Sequence, residues 1–204
     1  MQLYFSRHSV ASTVGIALEE AGLEFEAVKV DFANGAQTKE PYTSLNPKAR
    51  VPTLVHGENT MTEAGALLEY VADLAPDAGL RPSDPVQVAR MREAMFYFAS
   101  TMHVNHAHRQ RGARWASLET SLDDMRKKVP ENMAGCCAYV SEHMLQGPFV
   151  LGNQFSLADI YLYVICTWLQ DDGVNLDDFP KIQDFIKMME SRASVRAVQE
   201  RGMM

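Results

Sequence analysis

Residues 46–74 read NPKARVPTLVHGENTMTEAGALLEYVADL. An Asn-Pro turn leads into an apolar run from Pro52 to Val55, His56-Gly57 makes a tight turn, a short second strand follows, and helical spacing begins at about Glu63. This is a β-hairpin feeding a helix. Pro52 opens its strand, where a proline is tolerated. Trans is the default form of the Val51-Pro52 bond, whereas a cis bond would turn the Val51 backbone outward, free to pair with a peptide-like ligand. Thr62 reads as the helix N-cap with Glu63 in the first turn, where the helix dipole favours a carboxylate. That is either a plain cap or a clasp for an amino-acid moiety, with the Ala64 N–H taking its carboxylate and Glu63 its amine.

Upstream, residues 2–6 (QLYFS) and 25–30 (FEAVKV) have strand composition. Between them STVGIALEEAG has helix spacing, with Val14, Ala17, Leu18 and Ala21 on one face and Gly22 as a stop. The first part is therefore β-α-β-α-β-β-α. Its first turn, Ser6-Arg7-His8-Ser9, joins a strand to a helix start, where unpaired N–H groups and a partial positive charge stabilise an anion or a polarisable sulfur.

Downstream, Pro76, Gly79, Pro82 and Pro85 mark a linker. The expected division is 1–78 for the α/β domain, 79–86 for the linker and 87–204 for an all-α domain. Helices are expected over 85–114, 117–145, 156–170, 179–190 and 192–201, interrupted only by Pro130, Gly135, Gly147-Pro148, Gly152 and Gly173. FSLADIYLY at 155–163 holds Ser156 three residues before Asp159, a capping box, with Phe155 and Ile160 placed as a staple.

The formal net charge of −7 argues against nucleic acid. Residues 1–84 carry 6 Lys/Arg against 12 Asp/Glu, so most of that charge lies in the first part. The start has no basic leader with an apolar signal core, and no run of about 18 apolar residues occurs, so a cytoplasmic chain without a membrane role is expected. Cys136, Cys137 and Cys166 have no metal-binding or redox spacing, which fits a reducing compartment, and no metal is expected.

Residues 100–115, STMHVNHAHRQRGARW, stand apart. His103 and His106 share a helix face with Gln110, and His108 aligns with Arg111 and Trp115. A histidine pair could chelate a metal, but no third ligand is evident. With Arg109, Arg111 and Arg114 nearby, the segment reads either as donors for an anionic ligand or as a polar face meeting another domain or subunit.

Taken in order, LYFSRHSVAS, NPKARVPTL, MTEAGALLEYVAD, the linker and GNQFSLADIYLY resemble the cytosolic glutathione transferase superfamily, most of all its bacterial beta-type branch. The resemblance covers nearly the whole chain. It implies a thioredoxin-like first domain, an all-helical second domain, and glutathione lying across the first domain at its interface with the second. It further implies that Val51, before a cis Pro52, pairs with the cysteinyl backbone, that Glu63 and Ala64 hold the γ-glutamyl end, and that Arg50 lies near the glycyl carboxylate. A homodimer acting on a small electrophile is implied as well.

The chain departs from that pattern at three places. Beta-type members carry a cysteine where this chain has Val10, and the family's Glu-Ser pair is Glu63-Ala64 here. The branch's thiol-facing histidine falls at His103, while the adjacent lysine is Val104. Other branches activate the glutathione sulfur with a hydroxyl near the first helix, for which Ser9 is the nearest candidate, with Ser12 or backbone N–H groups as alternatives. The expectation is a transferase that ionises glutathione near Ser9 and His103; the alternative is a non-catalytic binding or regulatory protein of the same fold.

Overall fold

A computed structural model describes residues 1–204. Its chain divides into two compact units, Met1–Pro82 with Glu190–Met204, and Ser83–Met189.

In the first unit, strands β1 (Gln2–Phe5), β2 (Glu26–Lys29), β3 (Thr53–His56) and β4 (Asn59–Thr62) form one sheet in the order β2-β1-β3-β4. Strand β1 runs parallel to β2 and antiparallel to β3, and β3 runs antiparallel to β4. The parallel pair is joined by helix α1 (Ala11–Glu20), the short α2 (Tyr42–Leu45) lies between β2 and β3, and α3 (Ala64–Leu74) follows β4. This is the thioredoxin-like βαβαββα arrangement expected from the sequence. Leu3 and Phe5 alternate inward from β1, as the pleat requires.

Helix α1 is buried from Ala11 through Leu18, although its spacing showed only one apolar face. The reason is tertiary. It packs against β1, α3 and helix α9 (Ala193–Glu200), so Ser12, Thr13, Gly15 and Ile16 are covered as well. Helix α9 thus belongs to the first unit, whereas the sequence reading put it with the helical domain. Glu20 on α1 accepts hydrogen bonds from Arg192 Nε at 2.6 Å and Nη2 at 2.9 Å, tying the two helices together.

The second unit is helical. Helix α4 (Pro85–Tyr97) passes through a π-helical turn at Phe98–Met102 into α5 (His103–Arg111), and α6 (Glu119–Tyr139) packs against α5. Helix α6 runs straight through Pro130 and Gly135, two residues expected to interrupt it. At its centre α7 (Leu157–Cys166) is buried along its whole length, and α8 (Pro180–Glu190) closes the unit. The capping box is present: Asp159 accepts hydrogen bonds from the Ser156 N–H at 2.8 Å and the Val150 N–H at 2.7 Å. No helix is long and apolar enough to cross a membrane.

Candidate active site

Sheet register assembles three features that are far apart in sequence. Tyr4 pairs with Thr53, and Thr53 pairs with Thr62. The end of β1, the start of β3 and the end of β4 therefore share one end of the sheet, spanning about 10 Å across two strand spacings. The Ser6–Val10 turn follows β1, the Val51-Pro52 bond leads into β3 and the start of α3 follows β4, so all three adjoin those strand ends.

The Val51-Pro52 bond is cis, and Val51 lies outside the ladder, which begins at Thr53. A buried polar circuit holds this segment. Tyr42 Oη donates to the Arg50 C=O at 2.6 Å, so the Thr53 hydroxyl 2.8 Å from it is the donor of that second pair. Asn46 Nδ2 donates to the Arg50 C=O at 2.8 Å and to Thr53 Oγ1 at 3.0 Å. Burial pushes the Tyr42 pKa up against these hydrogen bonds, keeping it a neutral donor. Tyr42 and Asn46 were not singled out in the sequence; only the Asn-Pro turn hinted at the second. The Arg50 side chain itself is exposed.

At α3 the cap differs from the sequence expectation. Thr62 is the last residue of β4, and Glu63 is the N-cap, with φ +76°. A non-glycine residue held there is strained, a feature that clusters at ligand-binding positions. The first helical bond runs from the Leu67 N–H to the Glu63 C=O at 2.9 Å. No side chain caps the N–H groups of Ala64, Gly65 and Ala66 ahead of it, and the first turn carries no acid. Three donors and the positive end of the dipole thus remain for an anion. Ala64 is buried, and the Glu63 side chain is exposed. Lys48, which the sequence reading passed over, bonds the Glu63 carboxylate and donates to Thr62 Oγ1 at 2.6 Å.

In the turn before α1, His8 adopts φ +55° and Ser9 is half-buried. The Ser9 hydroxyl donates to the Ser6 C=O at 2.6 Å and accepts from the Ala11 N–H at 3.4 Å. Ser12 is buried and its hydroxyl donates to the Met203 C=O at 3.1 Å, which removes it as a free donor.

In the helical unit, His106 and Arg109 of the basic segment find partners within this chain. The His106 ring stacks on Trp168 with centroids 4.3 Å apart, and its Nδ1 lies 2.9 Å from the carboxylate of buried Asp172. Arg109 Nη1 donates to the Asp171 C=O at 2.6 Å. For His106 and Arg109 the reading as donors for an external anion is thereby corrected: they fasten α5 to the segment after α7. His108 meets the Trp115 ring edge-on at 4.8 Å. His103 opens α5 with its ring 5.1 Å from that of Trp168.

A thioredoxin-like unit with a cis-proline peptide edge beside an uncapped helix start, joined to an all-helical unit, defines a two-domain class of fold. The chain belongs to the glutathione S-transferase family. Residues 1–73 match its N-terminal domain and residues 91–193 its C-terminal domain. It is similar to the glutathione S-transferase GstA of Escherichia coli O157:H7, 26% identical over 96% of each chain. It is also similar to a maleylacetoacetate isomerase of Pseudomonas aeruginosa, 28% identical over 90% of this chain and 88% of that one. Among solved structures, a glutathione transferase homologue from Sulfitobacter with bound glutathione is 52% identical, with a TM-score of 0.97 over 100% of this chain and 98% of that one. A bacterial beta-class glutathione S-transferase from Sphingomonas chungbukensis is 26% identical, with a TM-score of 0.87 over 100% of both chains.

Proposed function

We propose that this protein binds glutathione at the shared strand end of its first unit, ionises the thiol, and conjugates the sulfur to an electrophilic carbon of a small, partly apolar substrate, the displaced electron pair leaving with the departing group or, in an addition, taking up a proton. The observation that carries this reading is the convergence of a cis Val51-Pro52 bond, a left-handed Glu63 and three uncapped N–H groups at one end of the sheet. In this reading the Val51 backbone pairs with the cysteinyl residue, the Ala64 N–H takes the γ-glutamyl carboxylate and Glu63 its amine, and Arg50 lies near the glycyl carboxylate. The bound glutathione of the Sulfitobacter homologue supports it. The thiol-facing role of His103 and the homodimeric, cytoplasmic setting are carried over from the family resemblance.

Activation has a definable energetic requirement. A thiol of pKa about 8.5 is about 3% ionised at pH 7, and lowering that pKa by about two units takes roughly 2.7 kcal/mol of preferential thiolate stabilisation. A hydrogen bond to a charged acceptor contributes about 1.5–3 kcal/mol, and a helix start about 0.3–1 kcal/mol. The Ser9 hydroxyl supplies its share only by exchanging the Ser6 carbonyl for the sulfur, a loss of about 1 kcal/mol. Its net effect is thus worth about one pKa unit. With the thiol stabilised, direct attack on the electrophile follows from positioning.

A second reading, a glutathione-binding protein without chemistry, is favoured by one observation: the Ser9 and Ser12 hydroxyls already donate to backbone carbonyls. Titrating the ultraviolet thiolate absorbance of glutathione against saturating protein, wild type beside Ser9→Ala, decides between them. The transferase reading expects a pKa well below that of free glutathione, rising by about one unit in the variant. Saturated binding without thiolate near neutral pH refutes it in favour of the second.

A further inference from the structure

The segment after α9 returns to the turn that carries Ser9. Gly202, at φ +71°, reverses the chain, and the Met203 N–H donates to the Val198 C=O at 3.2 Å, closing the end of α9. The Met203 side chain is then fully buried. It lies against Gly15 of α1, where an added Cβ would stand 3.1 Å from both its Sδ and its Cε, so the glycine makes room for it. From this seat the Met203 C=O takes two donors. The His8 N–H reaches it at 2.9 Å and the Ser12 hydroxyl at 3.1 Å, filling both lone pairs of one carbonyl. Arg7 Nε adds a bond to the Met204 C=O at 3.3 Å.

These contacts bracket Ser9 on both sides. His8, just before it, holds a left-handed conformation that a histidine adopts only when its surroundings fix it, and the bond to Met203 is such a constraint. Ser12, just after it, closes the first turn of α1 through its N–H to the Ser9 C=O at 3.1 Å. The placement of the Ser9 hydroxyl therefore depends on a carbonyl about two hundred residues away in sequence.

We propose that Met203 is a positioning residue for thiol activation: buried against Gly15, it sets the geometry of the Ser6–Val10 turn toward the glutathione sulfur. This rests on the reading that the turn meets the sulfur. Hydrogen-bond donation to a thiolate falls off steeply as the donor angle departs from linear, whereas the contacts proposed for the rest of glutathione lie in the segment before β3 and at the start of α3 and do not involve Met203.

The test compares wild type, Met203→Ala and Met203→Leu. One measurement is the thiolate absorbance of bound glutathione against pH; the other is the affinity for S-methylglutathione, which has no thiol to ionise. The expected result is a thiol pKa raised by at least about half a unit in Met203→Ala, a roughly threefold loss of thiolate at pH values well below the pKa, with S-methylglutathione affinity unchanged and the wild-type pKa restored in Met203→Leu. A Met203→Ala protein that binds S-methylglutathione like wild type and keeps the wild-type thiol pKa overturns the proposal while leaving the site reading intact. Should Met203→Ala not fold, Ser12→Ala removes one of the two donors without emptying the core, and an unchanged thiol pKa there overturns it equally. If wild type binds S-methylglutathione yet leaves the glutathione thiol at its free pKa, the activation reading is wrong and the proposal goes with it, while the binding site stands.

Discussion

Replacing Asp159 with alanine should remove a large share of the stability of the helical unit. The carboxylate is fully buried at the first turn of α7 and accepts three hydrogen bonds: from the Val150 N–H at 2.7 Å, the Ser156 N–H at 2.8 Å and the Ser156 hydroxyl at 3.1 Å. Alanine leaves all three donors buried without that acceptor. An unsatisfied buried donor costs about 1–3 kcal/mol, and the hydroxyl can rotate to another acceptor, so the two backbone donors dominate and the loss is about 4 kcal/mol. Asparagine keeps the volume and one carbonyl oxygen but turns an N–H2 group toward one of the donors, and the cost is about 2 kcal/mol. For a chain of this size these values correspond to melting points lower by roughly 8–16 °C and 4–8 °C. The assay is urea unfolding followed by far-ultraviolet circular dichroism at pH 8. Burial pushes the Asp159 pKa up to about 6, so the group is ionised there. An alanine variant within about 1 kcal/mol of wild type, at unchanged slope, would refute the assignment of the capping box as a main anchor of α7.

Two further outcomes follow from single side chains of the first unit. Burial opposes ionisation of Glu20, but hydrogen bonds from Arg192 and Ser194 and the Arg192 charge outweigh it and hold its pKa below the ordinary glutamate value. Its stabilising contribution is therefore present above about pH 4.5 and lost as the pH falls below that. Glu20→Gln should lower stability at pH 7 by about 2 kcal/mol and flatten the acid limb of the stability curve, as read by denaturant unfolding from pH 3 to 7; a parallel acid limb would count against it. Ala64→Ser adds a hydroxyl at the first residue of α3 and should tighten glutathione binding by about fivefold, the worth of one net hydrogen bond of about 1 kcal/mol. Calorimetric titration measures it, and no gain in affinity would place the γ-glutamyl carboxylate elsewhere.

Local chemistry wrote much of this protein into its sequence. Alternating Leu3 and Phe5, the 3.6-residue spacing of α1 and α3, the Gly22 stop and the Ser156–Asp159 box each act within a few residues, so a linear reading reaches them. The ordered set of these signals also carried the family resemblance. Other properties depend on partners far along the chain. The Pro52 peptide sits among the side chains of Tyr42, Asn46 and Thr53 and the Arg50 carbonyl, which meet only after α2 folds against β3. Glu63, not Thr62, became the cap because strand pairing to Thr53 holds Thr62 in the ladder. His106 and Arg109 looked like open donors because their acceptors, Asp172 and Asp171, lie more than sixty residues downstream. Ser12 looked available for the same reason: the carbonyl that takes its proton belongs to Met203, brought to α1 by the packing of α9. Periodicity reveals which face of a helix is apolar, but which distant group satisfies a buried donor is decided only when the elements pack.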